Sequence, residues 1–503
     1  MDKARTQHDE DTAQLAALGY SSEFKREMSL WANISLGFTY LSPVVGVYSL
    51  FAFALATGGP PMIWSFLIVG LGQFLVALVF GEIVSQFPVA GGVYPWARRL
   101  WGKRWAWMTG WVYMAALLVT IAAVAYGAGP YLSAVIGVDV TVTSTVLTAL
   151  ALIVVATIIN LMGTRVLSIA AMIGFGAELG GAVVVGLWLI FAGRVNNLDV
   201  IFDNFGASSG TNYFVAFTAA GLIGIYQYYG FEACGDVAEE VPDPGRRIPK
   251  AMRMTIYIGG AAATFVALAL LLAVPDIAAV VNGTETDPVG ALLLQAFGPV
   301  GYKVVLGVVM ISFLSCVLSL QAAASRLTFS YARDKMIVGH RYFSKVWQRR
   351  HVPLYALLLA AIVPALVIIG SIVSTNALTK IIAFASMGIY MGFHMVVFAA
   401  LRARLRGWVP SGKFTLGIWG LPVTVGALTW GVLGMLNMAW PRTPDAPWYD
   451  NYLVLLSALL VVGAGLVYMF VARPYDHGDS PSGDAISKPV TIATGEGSEQ
   501  KVG

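Results

Sequence analysis

The sequence predicts an all-α polytopic membrane protein with twelve transmembrane helices. Of its 503 residues, 58% are hydrophobic and only 12% are charged, whereas about a quarter of the residues of a soluble protein are charged. The apolar runs are long and unbroken, which favours membrane-spanning helices over alternating strands. With about 20 residues needed to cross a bilayer, the predicted spans are 30–56, 62–87, 105–136, 143–162, 167–192, 212–237, 252–275, 301–330, 353–373, 376–400, 415–438 and 450–472.

Basic residues are concentrated in alternate loops between these spans. The loops after the second, sixth and eighth spans are rich in arginine and lysine, and the loops on the opposite side are poor in them. Because positively charged loops stay in the cytoplasm, we expect both termini inside the cell and the protein in the plasma membrane. Clustering by loop also means that the net charge of +4 does not indicate a nucleic-acid partner.

Polar segments flank the predicted spans. Residues 1–24 form a polar cytoplasmic tail without the pattern of a cleavable signal peptide. Residues 474–503 are predicted to form a disordered cytoplasmic tail, because Gly, Ser and Thr dominate its end.

Two predicted spans contain residues that interrupt a helix. In the first span Pro43 follows Ser42, and proline lacks a backbone donor and clashes with the preceding turn. We therefore expect the helix to open over residues 41–46. In the sixth span, residues 228–232 combine tyrosines, a glycine and a glutamate. A charge at membrane depth costs roughly 3 kcal/mol, so this stretch is expected to line a site rather than to face lipid.

Spans one and six occupy corresponding positions if the chain contains two five-helix units. Residues 25–200 then form the first unit and residues 201–405 an inverted second unit, while residues 406–473 hold helices eleven and twelve. A pair of interrupted helices in two such halves is the best sequence indication of a transporter's substrate site. The expected site therefore lies between the two interruptions.

Three motifs resemble those of a known family. They are residues 81–96 (GEIVSQFPVAGGVYPW), residues 239–250 (EEVPDPGRRIPK), and Ser325-Arg326 followed by residues 332–335 (ARDK). At this spacing they resemble the signatures of amino-acid permeases of the amino acid–polyamine–organocation superfamily. The resemblance is greatest to the amino acid/choline branch, which includes permeases for γ-aminobutyrate and choline. It implies a five-plus-five inverted-repeat fold and uptake of an amino acid or related amine by alternating access.

The resemblance also implies roles for residues at the two interruptions. In the family, the substrate carboxylate meets backbone N–H groups in the first break, and the amine meets carbonyls of both interrupted helices. An aromatic side chain of helix six covers the substrate, and Tyr226 matches that position. The residues expected to bind substrate are Ser42, Val44, Val45, Gly46, Tyr226, Gln227, Tyr229, Gly230, Phe231 and Ser319. The aromatic residues among them have a second interpretation, as packing or bilayer-interface side chains.

The first break departs from the family pattern, because Val44-Val45-Gly46 stands where glycine-serine-glycine is usual. Backbone N–H groups at a helix start bind anions without needing glycine. The bulkier valines are nevertheless expected to narrow the pocket, which favours a small or slim ligand and weakens the case for an ordinary α-carboxylate.

Two carboxylates inside the predicted spans are candidates to carry a coupling proton. In the family, the position matching Glu232 has been tied to proton-linked gating. Glu178 lies where several proton-coupled relatives carry a lysine, so the charge is reversed and a lysine-based mechanism does not carry over. Carboxylates within spans face a cavity or a partner. The alternative for Glu232 is a structural salt bridge, and the alternative for Glu178 is a bond to a nearby donor.

Further polar residues have two interpretations each. Glu82 is expected to form a cytoplasmic gate or a salt bridge, with Arg98, Arg99 and Arg104 as partners or as plain positive-inside charges. His394 in the tenth span either contacts substrate or is a hydrogen-bonded packing residue.

Motifs for catalysis do not occur in the sequence. There is no P-loop, zinc signature, nucleophile elbow or dinucleotide fingerprint. We therefore expect no enzyme activity, no metal site and no cofactor, with H⁺ as the possible coupling ion. Cys234 and Cys316 lie within apolar spans and are expected to be reduced packing residues.

Several functions remain open at this point. The first is a secondary permease for an amino acid or an amino-acid-like amine, coupled to protons. The second is a permease for an organic cation such as choline or a polyamine, because intramembrane carboxylates without an arginine partner attract cations. A receptor or channel would leave the paired interruptions unexplained.

Overall fold

The computed structural model describes residues 2–207, 212–373, 377–442 and 446–486. Over these ranges the chain forms helices and turns without a β-strand, and one isolated bridge joins Trp347 and Val352. The prediction of an all-α polytopic membrane protein is confirmed.

The helices follow one another along the chain with short connections. In order they are α1 (Asp2–Ala17), α2 (Leu30–Leu41), α3 (Pro43–Gly58), α4 (Trp64–Gln86), α5 (Val93–Leu100), α6 (Lys103–Gly127), α7 (Gly129–Ile136), α8 (Val142–Leu161), α9 (Thr164–Phe191), α10 (Tyr213–Ala220), α11 (Leu222–Gln227), α12 (Ala233–Asp236), α13 (Pro244–Ala273), α14 (Ile277–Val281), α15 (Pro288–Arg333), α16 (His340–Phe343), α17 (Leu354–Gly370), α18 (Ala377–Leu405), α19 (Gly420–Ala439), α20 (Trp448–Asn451) and α21 (Leu453–Ala472). Short 3₁₀ turns cover Pro60–Ile63, Leu198–Phe202, Ala238–Glu240, Ser371–Val373, Gly417–Trp419 and Pro474–Asp476.

Ten helical segments in the described ranges are long and apolar enough to cross a membrane. The first, Leu30–Gly58, combines α2 and α3. Two shorter apolar segments, Tyr213–Gln227 and α17, coincide with the predicted sixth and ninth spans. Buried side chains of α2, α6, α13 and α15 belong to one hydrophobic core. By contrast, α19 and α21 expose most of their surface and lie at the periphery, where lipid would cover them.

The first interrupted helix breaks at a single residue. Ser42, between α2 and α3, has a left-handed backbone with φ 42°. Pro43 cannot continue the hydrogen bonds of α2, and it occupies the first position of α3, where its fixed φ favours a new helix. Residues 44–46 therefore form the first turn of α3. The expectation of an opening over residues 41–46 was too wide, because proline both ends one helix and starts the next.

The second interruption is longer. Helix α11 ends at Gln227, α12 begins at Ala233, and the segment between them is not helical. Gly230 has φ 109°, and an added Cβ would lie 2.7 Å from Leu41 N and 2.9 Å from the Tyr40 ring. The two interruptions are thus in direct contact, and only glycine allows their backbones to come this close.

Two helices extend beyond the predicted spans. Helix α13 begins at Pro244 rather than near residue 252, so part of the predicted basic loop lies on its first turns. Helix α15 begins at Pro288 and kinks at Gly298, which has φ 67°. Proline at the first turn starts both helices, and polar residues of the loops thereby become helical.

Three arginines with little or no exposure form ion pairs on one side of the bundle, which we call the basic face. The pairs are Arg98 with Asp334 (3.3 Å), Arg326 with Glu240 (2.8 Å) and Arg333 with Glu239 (2.9 Å). One partner of each pair comes from the predicted loop after span two (Arg98) or span six (Glu239 and Glu240). The other partner lies in the last turns of α15 or just after its end. The basic face is therefore closed by charged groups that hold three parts of the chain together.

The N-terminal tail packs on the basic face. The Tyr20 hydroxyl donates to Asp334 at 3.2 Å. Burial and the nearby Asp334 carboxylate raise the pKa of Tyr20 to about 12, so this hydroxyl remains a donor at neutral pH. The Tyr20 ring also lies beneath the Arg333 guanidinium, 4.1 Å from the ring centre.

The C-terminal segment packs on the same face. Composition predicts disorder from residue 474, whereas the structure places residues 474–486 against the basic face. Lys335 pairs with Asp479 at 2.6 Å, and Arg98 donates to the Ser480 carbonyl at 2.6 Å. Composition alone does not predict this order, because it comes from tertiary contacts. Carboxylates and carbonyls of the C-terminal segment accept hydrogen bonds from arginine and lysine side chains of the basic face. Residues 487–503 lie outside the described ranges.

Replacing Gly230 with alanine is expected to force the two interruptions apart. A Cβ would meet Leu41 N, a positive φ costs a non-glycine residue about 1–2 kcal/mol, and the clash adds about 1–3 kcal/mol. Gly137→Ala is the matched control, because Gly137 also has a positive φ but has no atom within 4 Å of the added Cβ. Thermal unfolding followed by size-exclusion chromatography measures both variants. Equal stabilities would contradict the close contact.

Candidate functional site

A small buried cavity lies where the two interruptions meet. The space inside it that a water molecule can enter is about 10 Å³, which is enough for about one water molecule and far below the range of roughly 300–1,000 Å³ typical of pockets for drug-sized ligands. Its lining residues are Tyr40, Leu41, Val45, Gly46, Thr120, Val124, Tyr226, Tyr229, Cys316 and Leu320. In this conformation the cavity is nearly closed, so a substrate would enter only after its walls move apart.

Four of the predicted substrate-binding residues line this cavity. They are Val45, Gly46, Tyr226 and Tyr229. The other six are buried next to it without lining it, and they are Ser42, Val44, Gln227, Gly230, Phe231 and Ser319. Phe231 packs against the rings of Phe80 and Phe393, which matches its packing interpretation.

Other lining residues carry no distinctive sequence signal. Thr120 and Val124 lie one turn apart on α6, and the Thr120 hydroxyl donates to its own helix at Ala116 O. Cys316 of α15 donates to the Tyr40 carbonyl at 3.3 Å. In an apolar span such residues are indistinguishable from ordinary packing, so only the arrangement of helices identifies them.

Three tyrosine rings enclose one side of the cavity. The Tyr229 ring lies edge-on to the rings of Tyr226 and Tyr40, with centroid distances of 5.6 and 6.2 Å. The Tyr40 hydroxyl lies near Glu232 without reaching good hydrogen-bond geometry. The aromatic side chains thus present ring faces and edges, with few polar groups, to the cavity.

Glu178 of α9 is bonded to the first interruption. Its Oε1 accepts a hydrogen bond from the Ser42 hydroxyl at 2.7 Å and another from Val44 N at 3.0 Å. Its Oε2 is buried without a hydrogen-bond partner among the described residues. A carboxylate at a helix N-terminus is favoured by the free N–H groups and the helix dipole, so Glu178 caps α3 from a different helix.

This cap uses the backbone N–H groups of the first interruption, to which, according to the resemblance, the substrate carboxylate would bind. Val44 N donates to Glu178, Val45 N donates to the Ser42 hydroxyl at 3.3 Å, and Gly46 N donates to Ser42 O at 3.0 Å. In this conformation the first turn of α3 therefore offers no unoccupied N–H group at these positions. A carboxylate of the protein stands in the expected anion position.

Gln227 links the second interruption to the first. Its Nε2 donates to Leu41 O at 3.0 Å, which satisfies a carbonyl at the end of α2. Its Oε1 would lie only 2.1 Å from a Cβ at Gly46. Gly46 therefore has to be glycine, because any side chain would collide with Gln227. This packing role is separate from its expected role in binding substrate.

Glu232 is bonded at the second interruption. Its Oε2 accepts from Gly230 N at 2.8 Å, and its Oε1 accepts from the Tyr113 hydroxyl of α6 at 2.9 Å. Within the part of the chain that the structure describes, Glu232 makes these hydrogen bonds and no salt bridge, which was the structural alternative considered for it. Each interruption therefore has one buried carboxylate bonded to its backbone.

Glu82 forms a salt bridge, which is one of the two roles expected for it, but its partner is none of Arg98, Arg99 and Arg104. Glu82 pairs with Arg404 and accepts from Leu416 N at 2.8 Å. Arg98 and Arg99 instead pair with Asp334 and Asp484, and Arg104 lies 4.8 Å over the Tyr475 ring. Partners of these residues come from distant parts of the chain, which a local motif cannot identify.

His394 lies away from the cavity. Its Nδ1 is 2.7 Å from Tyr390 O one turn earlier in α18. Its ring fills the space beside Gly431 of α19, where an added Cβ would meet the imidazole. These contacts are those of a packing residue.

Comparison with known proteins gives the family. The amino acid permease family matches residues 29–467. The chain is 26% identical over 502 residues to the amino-acid permease BAT1 of Arabidopsis thaliana, covering 92% of this chain and 95% of that protein. It is 26% identical over 494 residues to a BAT1 homolog of Oryza sativa subsp. japonica, covering 90% and 93% of the two chains. A permease of Schizosaccharomyces pombe is 24% identical over 457 residues, covering 86% of this chain and 80% of the relative.

The match extends across the helices that form the cavity and across nearly the whole length of these relatives. The family transports amino acids through membranes, so the expectation that the protein is not an enzyme is confirmed. The chain belongs to the amino acid permease family and is a multi-pass membrane transporter.

Proposed function

We propose that this permease takes up an amino acid, or an amino-acid-like amine such as γ-aminobutyrate, across the plasma membrane by alternating access coupled to protons. The observation that carries the proposal is the meeting of two interrupted helices at a small buried cavity, with a carboxylate bonded to each. Interrupted helices supply backbone groups for substrates and ions, and buried carboxylates mark proton and ion routes.

The proposed topology has twelve membrane-spanning helices, ten of them in a five-plus-five inverted repeat. The ten long apolar segments and the two shorter ones supply these twelve. Residues 25–200 and 201–405 are then the inverted units, and residues 406–473 add the last pair. With the basic face in the cytoplasm, as expected for positively charged loops, both termini are cytoplasmic.

In this topology the structure corresponds to a state closed toward the cytoplasm. Three ion pairs and both terminal segments cover the basic face. Buried ion pairs are costly to break because each leaves a charge without a partner. Opening toward the cytoplasm therefore requires the partners to separate together as water enters, which is the expected behaviour of a gate.

In the proposed binding mode the substrate lies against Val45 and Gly46, beneath Tyr226 and Tyr229. Four of the six remaining predicted residues act from behind the lining. Ser42 and Val44 hold Glu178, while Gln227 and Gly230 hold the two interruptions together. A narrow cavity walled by tyrosine rings suits a slim molecule with an ammonium group, because ring faces attract cations.

A second candidate function is transport of an organic cation such as choline or a polyamine. The observation that favours it is the position of Glu178, which takes the N–H groups that a substrate carboxylate would need. The free Oε2 of Glu178 would attract a cation. Under this alternative the substrate needs an ammonium group and no carboxylate.

An uptake panel in proteoliposomes separates the two candidates. Labelled γ-aminobutyrate, choline and putrescine are each offered with and without a pH gradient. We expect γ-aminobutyrate to accumulate about tenfold per pH unit if one proton accompanies each molecule, because one unit corresponds to about 1.4 kcal/mol. Uptake of choline or putrescine alone supports the second candidate. Protein-free liposomes are the control, and no uptake of any of the three would overturn both proposals.

Glu178→Gln tests the role of the carboxylate at the first interruption. Glutamine keeps an oxygen that accepts from Ser42 and Val44, so folding should survive, but the side chain no longer carries a charge or a proton. We expect uptake to fall about tenfold or to lose its dependence on pH, a change of about 1.4 kcal/mol.

Ser42→Ala is the control for Glu178→Gln, because it removes the hydroxyl's two hydrogen bonds, to Glu178 and from Val45 N, each worth about 1 kcal/mol, and leaves the acid in place. Uptake by Glu178→Gln that equals wild type from acid to neutral pH would assign Glu178 a purely structural role.

A further inference from the structure

Asp236 is a buried carboxylate that the two interruptions do not use. It is the last residue of α12, one turn after Glu232, and its side chain has no exposed surface. Neither Oδ1 nor Oδ2 has a hydrogen-bond partner among the described residues. This differs from Glu178 and Glu232, which are bonded at the interruptions.

The surroundings of Asp236 are tightly shaped around its carboxylate. Its backbone carbonyl accepts from Gly91 N at 2.9 Å, and a Cβ at Gly92 would lie 2.4 Å from Oδ1. The turn at Gly91–Gly92 precedes α5, which carries Arg98 of the basic face. Asp236 therefore lies between the second interruption and the basic face.

The arginines of the basic face are already paired with other groups. Helices α5 and α15 carry four of them, Arg98, Arg99, Arg326 and Arg333, and each pairs with a carboxylate other than Asp236. From α13, Thr255 contacts Cys234 on the segment that carries Asp236, and its hydroxyl does not titrate. No ion pair among the described residues involves Asp236.

The titratable groups that face Asp236 are acids. On its own segment these are Glu232 and Cys234, and α2 and α6 contribute the hydroxyls of Tyr40 and Tyr113. A buried carboxylate without a cation or a donor is strongly disfavoured in its charged form. We therefore expect Asp236 to hold a proton while the basic face is closed.

We propose that Asp236 is a second proton-binding residue of this permease, which receives the transported proton from Glu232 and releases it when the basic face opens. The net change is the transfer of one proton to water. The Asp236 carboxylic acid first gives its proton to water, and the resulting carboxylate then takes the proton of the Glu232 carboxylic acid. Asp236 N donates to Glu232 O at 3.1 Å, so one helical turn separates the two residues. Residues four apart on a helix lie on the same face, and the two side chains are therefore neighbours. This inference rests on the proposed proton coupling.

The first test observes the proton directly in the full-length protein. Infrared difference spectra in the carboxylic-acid stretching region are compared for wild type and Asp236→Asn at neutral pH. We expect the variant to lack one carboxylic-acid band. Asp199→Asn is the matched control, because it makes the same substitution at an aspartate that is exposed to solvent. Identical spectra for wild type and Asp236→Asn would overturn the proposal.

The second test separates coupling from translocation, with labelled γ-aminobutyrate as the probe. In proteoliposomes with potassium and valinomycin to hold the membrane potential at zero, we expect Asp236→Asn to keep exchange at equal pH. It should lose the accumulation driven by a pH gradient, which is about tenfold per unit for one proton. Accumulation equal to wild type would contradict a proton-carrying role.

The two possible failures are distinguishable. If wild type itself exchanges γ-aminobutyrate but ignores the pH gradient, the proposed proton coupling is wrong, and the inference with it. If only the variant behaves unexpectedly, coupling stands and the inference alone fails. If Asp236→Asn does not fold, the wild-type protein is treated with dicyclohexylcarbodiimide instead. This reagent modifies protonated carboxyl groups in apolar surroundings, so it tests directly whether Asp236 carries a proton. A mass adduct on Asp236 supports the proposal, and modification confined to other residues overturns it.

Discussion

A helix that stops inside a membrane leaves backbone N–H and carbonyl groups without partners, and no water is available there to satisfy them. In this permease side chains satisfy them. Glu178 accepts from the start of α3, Glu232 accepts from Gly230 N, and Gln227 donates to the end of α2. These bonds tie α2, α9 and the second interruption to one point, and the cavity is the space left between them.

Charge is distributed in two ways across the molecule. On the basic face, arginines and carboxylates neutralise one another in buried pairs, and the terminal segments add further contacts. Inside the bundle, the carboxylates of Glu178, Glu232 and Asp236 have no cation partner among the described residues. Paired charges hold a surface closed, whereas an unpaired buried acid is stable only when it binds a proton or a cation. The proposed gate and the proposed coupling residues use these two properties.

Local sequence features identified the interruptions because the causes are local. Pro43 after Ser42 and Gly230 among aromatic residues act on their own backbone, so their effect follows from residue type. Other features depended on distant partners. Glu178 meets Ser42 across 136 residues of sequence, and Glu82 meets Arg404 rather than the neighbouring arginines. Asp236 has no distinctive sequence signal, because an acidic residue at the end of a span is usually an ordinary loop residue.

From the sequence alone it was possible to derive an all-helical membrane protein, the approximate spans, the two interruptions and the family resemblance, because hydrophobicity, proline and glycine act over one or two turns. The tertiary structure decided which of those residues line the cavity, since Val45 and Tyr226 do so while Ser319 instead bonds to Thr39. It also decided that the first interruption is already capped by Glu178. The partner of a buried polar group depends on how distant helices pack, and residue type alone does not contain that information.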